Sequence, residues 1–214
     1  MVSLLQAAKP YIGPEGFAGI RLSTRPDAID PPILKLLQSY GVSAIELGVQ
    51  SMSDRVLQAN GRGHTAEDVR QAARLIRQAG FALGLQMMTG LYESTIEDDW
   101  NTAREIAALS PQTVRIYPTI TIRGTELADL YAVGRYHPMS LEQAVQECSG
   151  LLAFFNERGI RVIRLGLHAQ ESLQRDYVAG PYHPAFRELC EGRLYLEEAR
   201  RQAAQFLQGT PLWL

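Results

Sequence analysis

The chain has 214 residues, 46% hydrophobic and 21% charged, an ordinary globular composition. Its 21 Lys and Arg against 23 Asp and Glu leave a formal charge of −2, which argues against general electrostatic binding to nucleic acid. Two cysteines, Cys148 and Cys190, exclude a disulfide scaffold and a self-contained cysteine-ligated cluster, which needs several converging thiolates. No apolar run approaches ~20 residues, so no membrane span is expected. Met1 to Gln6 lacks a basic stretch before an apolar core, so no signal peptide is expected, and the expected location is the cytoplasm.

In chain order, Val2 to Tyr11 reads as a helix leading directly into a first strand, Gly19 to Ser23. Asp30 is placed to cap a helix beginning with Pro31 and Pro32. Ala44 to Gln50 reads as the second strand, and Asn60 to Thr65 as a loop rich in turn formers. Val69, Ala72, Ala73, Ile76 and Ala79 recur at helical spacing before a third strand, Phe81 to Met88. Ile96, Trp100, Ala103 and Ala107 mark another helix, and Val114 to Tyr117 a fourth strand. Ser140 and Gln143 form a capping box ahead of the stripe Leu141, Val145, Cys148, Leu152 and Phe155. Ile160 to His168 reads as the fifth strand and Pro184 to Leu207 as a long final helix, with Leu212, Trp213 and Leu214 docking on the body. Gly41, Gly80 and Gly159 each close a helical pattern before a strand. Five βα units predict an α/β domain with a parallel sheet over 1–214, of which 184–214 is the C-terminal helix and tail. A sheet entered through a crossover helix is expected to have its open edge at the strand containing Ile20, where self-association is expected.

Strand alternation sorts the side chains into two faces. Ile20, Leu22, Ile45, Leu47, Val49, Leu83, Leu85, Val114 and Ile116 belong with the helices. Arg21, Ser23, Arg25, Glu46, Gln50, Gln86, Arg115, Tyr117, Arg164 and His168 share the other face. In the fifth strand the alternation is less clean. A structural barrel core prefers branched apolar residues, so a charged lumen points to a ligand cavity. The competing explanation is ion pairing, Glu46 with Arg21 or Arg115, although buried pairs often cost more than they return. Ligands of parallel α/β folds sit at the carboxyl ends of strands, where Arg62 in its loop could reach a carboxylate or phosphate. No Walker loop and no G-x-G-x-x-G follows a strand, Ser51 has no nucleophile-elbow sequence, and His64, His137, His168 and His183 lack zinc-like spacing. No metal site is expected in this chain.

Gly19 to Asp27, Ile45 to Ser51, Arg62 to Thr65, Gln86 to Leu91, Arg115 to Pro118 and Gly180 to Phe186, in that order, resemble one family. The chain is similar to radical S-adenosylmethionine (SAM) proteins, in the branch of the elongator catalytic subunit and oxygen-independent coproporphyrinogen dehydrogenase. The resemblance implies a partial (β/α) barrel of about five parallel strands, lacking the first two strands of a (β/α)6 barrel. It implies an oxidoreductase in which a 4Fe-4S cluster reductively cleaves SAM to a 5′-deoxyadenosyl radical that acts on an unknown substrate. The cluster-binding C-x3-C-x2-C motif and the glycine-rich motif after the second strand are both missing from these 214 residues, so the chain alone is expected to be an inactive fragment. Carried over by the resemblance, the SAM-side residues are Ser23 (where many relatives have glutamate), Gln50, Arg62 for the SAM carboxylate, Gln86, Tyr117 and Pro118. The resemblance admits nucleic acid as a partner despite the charge balance. The alternative is a non-catalytic module that binds a nucleotide or small anion and completes its barrel with a partner chain.

Overall fold

The computed structural model describes residues 2–168 and 170–207. Helix α1 (Val2–Ala8) continues as a 3-10 turn to Tyr11, and residues 12–19 then form a loop before strand β1 (Ile20–Thr24). The direct helix-to-strand passage expected from the sequence is thus interrupted. Pro14, Gly13 and Gly16 in that stretch favour turns over helix. Asp30 caps α2 (Pro31–Ser39), its Oδ1 accepting the Ile33 N–H at 2.7 Å. Strand β2 (Val42–Gln50) is followed by α3 (Asp54–Ala59), a short helix with no sequence signal, and by α4 (Ala66–Gln78). Strand β3 (Ala82–Thr89), α5 (Ile96–Ala108) and β4 (Thr113–Pro118) complete the centre. Next come the two-residue β5 (Thr121–Ile122), α6 (Glu126–Ala132) and α7 (Leu141–Glu157). The chain then forms β6 (Arg161–Leu165), α8 (Glu171–Asp176), β7 (Tyr177–Ala179) and α9 (Phe186–Leu207). The docking expected of Leu212 to Leu214 lies outside the described residues.

Five strands form one parallel sheet in the order β1-β2-β3-β4-β6, with β1 and β6 at its edges. The opening at Ile20 follows the sequence expectation. β5 and β7 pair separately and antiparallel. Ile45, Leu47 and Val49 of β2 lie fully buried beside Leu83, Leu85 and Met87 of β3 and Val114 and Ile116 of β4. Against them pack Val69 and Ile76 of α4, Ala103 and Ile106 of α5, and Leu151 and Phe155 of α7. Each large apolar side chain so buried contributes about 1.5–3 kcal/mol. The unclean alternation of the fifth strand has a geometric cause. Val114 pairs Val162 but Arg115 pairs Arg164, so Ile163 is one extra residue on β6. That irregularity restores Arg164 to the polar face and Leu165 to the core. β6 also ends sooner than expected, because Gly166 turns at φ 85° and Phe186 packs on it.

Candidate functional site

The polar face carries an ion-pair network centred on Glu46, which is 1% exposed. Arg21 Nη1 donates to Glu46 Oε1 at 2.8 Å from one neighbouring strand. Arg115 Nη2 donates to the same oxygen at 3.1 Å, and its Nε stands 2.8 Å from Oε2 off the angle of a hydrogen bond. Gln86 Nε2 donates to Glu46 Oε2 and to Ser23 Oγ, both at 3.2 Å. Arg115 lies two strands from Glu46, with β3 between them. The Glu46 chain crosses β3 over Gly84, where a Cβ would meet Glu46 Cγ at 2.7 Å and Thr113 Oγ1 at 2.9 Å. The hydrogen bond to Tyr117, with the Glu46 charge behind it, raises the Arg115 pKa. Both pairings weighed from the sequence therefore exist, on one carboxylate.

Above this network, toward the carboxyl ends of β1 to β3, opens a cavity of about 450 Å³. Ser23, Arg25, Gln50, Arg62, His64 and Gln86 line it, with Thr24, Gly48, Gly61 and Gly63 supplying close backbone. Gln50 takes φ 65°, a left-handed backbone rare for a residue with a side chain, where the β2–β3 register shifts. Outside the ladder there, Val49 O accepts the Ser51 N–H at 2.8 Å and the His64 Nε2–H at 3.1 Å. Gln50 Nε2 then lies over Gly48, 2.7 Å from where a Cβ would stand. Arg62 is held by the loop after α3, where its N–H donates to Leu57 O at 2.9 Å. Its Nη2 donates to Met88 Sδ at 3.7 Å, and no carboxylate pairs with it among the described residues. Partial desolvation, then the charge of Arg25, lowers its pKa. Arg25 itself pairs with Asp27 at 2.6 Å. On the far side of Arg62 and Met88 a second cleft of about 280 Å³ runs to Tyr92, Ile120 and Leu127.

Of the residues singled out from the sequence, Ser23, Arg25, Gln50, Arg62 and Gln86 meet in the first cavity. Arg21, Glu46 and Arg115 form the floor network. Arg164 shares that face, its Nε donating to Gly166 O at 3.1 Å. Tyr117 is tied to Arg115, and Pro118 is buried on the opposite face; neither lines either cavity. His168 is exposed beyond the end of β6 and is not part of the lumen, because the Gly166 turn carries it away. Sequence reasoning did not single out His64 as a brace for β2, and it missed Asn60, whose Nδ2 ties Val56 O to Tyr92 O at 2.8 Å each. Asn60 in the turn-rich loop was the one signal that could have marked it.

Two family profiles match the chain: the radical SAM superfamily over residues 3–106 and the radical SAM C-terminal domain over residues 111–196. Among curated proteins, the tRNA uridine(34) acetyltransferase of Methanocaldococcus infernus is 33% identical over 131 residues, 60% of this chain and 24% of that protein. Elongator complex protein 3 of Homo sapiens is 34% identical over 138 residues, 63% of this chain and 25% of that protein. The chain thus spans about a quarter of the length of these relatives. The solved structure of Methanocaldococcus infernus Elp3 with an N-terminal deletion superposes with a TM-score of 0.74 at 26% identity. That superposition covers 84% of this chain and 42% of that one. Coproporphyrinogen III oxidase from Escherichia coli shares the fold, with a TM-score of 0.58 at 19% identity, over 74% of this chain and 36% of that one. With profiles matched end to end along one parallel sheet, this chain belongs to the radical SAM superfamily.

Proposed function

We propose that the cavity at the carboxyl ends of β1 to β3 binds SAM, and that the chain is the SAM-holding part of a radical SAM enzyme. The observation that carries this reading is Arg62, a guanidinium at the cavity wall with no carboxylate partner among the described residues. The polar face adds Arg21, Arg115 and Arg164 against the single Glu46, an excess of positive charge suited to an anionic group. Arg62 would take the carboxylate of the amino-acid end, and Gln50, Ser23 and Gln86 offer donors and acceptors for its amine and ribose. SAM, when bound beside a reduced cluster, supplies radical chemistry; these residues bind it, orient it and exclude water.

The residues present do not fit a 4Fe-4S cluster. Cys148 is buried in the core behind the sheet, where burial raises its pKa well above the ordinary thiol value. Cys190 is likewise buried, its thiol pushed up to about 11 by burial first. Such thiols are neutral, whereas iron is held by thiolates. No group of acidic, histidine and cysteine side chains able to hold a metal exists among the described residues. Cluster ligands would come from outside these 214 residues, and the chain by itself would bind without cleaving. Two of its relatives are named for acetyl transfer to tRNA uridine 34 or as an elongator protein; by that likeness a tRNA base is the substrate class of the assembled enzyme.

Calorimetric titration with SAM tests the site. Arg62→Gln is expected to weaken SAM by about tenfold or more, the worth of a lost charge-assisted hydrogen bond, while leaving decarboxylated SAM unchanged. Equal SAM binding by both forms would overturn the assignment. Anaerobic reconstitution with iron and sulfide, then dithionite and SAM, tests the second half: colourless protein and no 5′-deoxyadenosine are expected. A brown protein that yields 5′-deoxyadenosine would refute it.

A further inference from the structure

Behind the sheet, apart from both cavities, two acidic side chains are buried together. Asp99 on α5 is 2% exposed and Glu147 on α7 is 6% exposed. Asp99 is well supplied with donors: Gly90 N–H reaches its Oδ2 at 2.8 Å and Ser94 Oγ reaches its Oδ1 at 2.7 Å. Glu147 has none, and neither of its buried oxygens has a donor among the described residues. What it faces is the Asp99 carboxyl. Two buried carboxylates in contact with no cation between them repel and are stripped of water, at a cost far beyond a neutral pair. A proton held between them removes both penalties.

We propose that Glu147 is protonated at neutral pH and donates to Asp99, so that one shared proton pins the Gly90 turn at the end of β3 to helix α7. Glu147 is then a positioning residue. Through Asp99 it fixes Gly90, and through Gly90 the Met88 end of β3, whose sulfur accepts from Arg62. The inference concerns the core and stands whether or not SAM is the ligand.

The surroundings contain no rival counterion among the described residues. From the β3–α5 loop and α5, Glu93 and Asp98 are both taken by Arg55, at 3.9 and 2.8 Å. From the segment before α7, Tyr136 donates to Gly90 O at 2.8 Å and is neutral, its pKa pushed up to about 12 by burial and the Asp99 charge. Arg135 donates to Tyr92 Oη at 3.0 Å, and His137 lines the open cleft on that side without pairing to either acid. From α7 and α9, Cys148 and Cys190 are neutral thiols. Burial first, then Asp99, pushes Glu147 up to about 8; burial pushes Asp99 up to about 6.

Both groups hold protons more tightly folded than unfolded, so their stabilisation is full below the ordinary carboxyl range and is lost as pH rises toward about 8. Infrared spectroscopy at about pH 7.2, above the Asp99 value of about 6, is expected to show a carboxylic-acid C=O band in the intact chain, missing at that pH from Glu147→Gln and fading in the native chain through about pH 8. Glutamine donates the same hydrogen bond without a titrating proton. Protection of the Gly90 amide against hydrogen exchange, corrected for base catalysis, is expected to fall about tenfold or more above that pH in the native chain and to stay level in Glu147→Gln. Absence of the acid band in the native chain, or parallel Gly90 protection in both proteins at every pH, would overturn the proposal. If Glu147→Gln does not fold, the native infrared titration decides alone: a band that titrates supports the shared proton, and its absence refutes it.

Discussion

Glu46 holds two guanidinium groups on one buried carboxylate, and its removal would strand both. Glu46→Ala is expected to cost about 1–3 kcal/mol in denaturant unfolding, the worth of the lost charged hydrogen bonds, since both guanidinium groups left behind still reach water. Arg115→Ala should cost more than Arg21→Ala, because the Arg115 side chain is 28% exposed and that of Arg21 42%. Equal costs would mean the network is one of surface pairs. Alternation alone put Arg21, Glu46 and Arg115 on one face, and it named both pairings. It could not show that a single oxygen accepts from both, since that depends on strand order and on the space over Gly84. The Asp99–Glu147 pair was illegible for a related reason. Glu147 sits next to Cys148 on a helix read by its apolar stripe, and burial of a charged neighbour leaves no mark on such a pattern.

Helix starts show the same division at the scale of elements. Three helices begin with a full capping box: α4 at Thr65 and Asp68, α5 at Thr95 and Asp98, α7 at Ser140 and Gln143. Only the last carries the Glu or Gln that the sequence signature requires; the other two use the shorter Asp, whose carboxylate still reaches back to the cap N–H at 2.7 and 2.9 Å. Thr95→Ala is expected to lower stability by about 1 kcal/mol, read from the urea midpoint. The strands were legible to within a few residues because their apolar face repeats every second position. β5 and β7, of two and three residues, are too short to show any period. Gly84→Ala probes how closely the elements sit. The new Cβ would press on Glu46 and Thr113, and an overpacking cost of about 1–3 kcal/mol is expected, with the Glu46–Arg115 ion pair broken in a crystal structure of the variant. A variant structure with that ion pair intact would show that the strand can shift to make room.

Across the whole molecule the sheet is graded from its edges to its centre. β1 pairs on one side only, whereas β2 and β3 are flanked on both. Native-state hydrogen exchange is expected to release β1 amides well before those of Leu47 and Leu85, which lie fully buried at the centre. Uniform protection across the sheet would show that something else covers the β1 edge. The polar site spans the same gradient: Ser23 and Arg25 come from the edge strand and its exit, Gln50 and Gln86 from the centre. Among the described residues no helix is long and apolar enough to cross a membrane.

The small pairing of β5 with β7 joins residues 121–122 to residues 177–179, across α6, α7, β6 and α8. Mechanically it is a clasp between the exit of β4 and the approach to α9. Because its two strands run antiparallel, a pull on Ile120 and Gly180 would part them one rung at a time. The Tyr177 hydroxyl, donating to Gly180 O at 2.6 Å, stiffens one side of that seam. Tension along that stretch should therefore open the clasp at low force and free only its own few residues, since β6, which lies between the two strands in sequence, stays held by β4 in the central sheet.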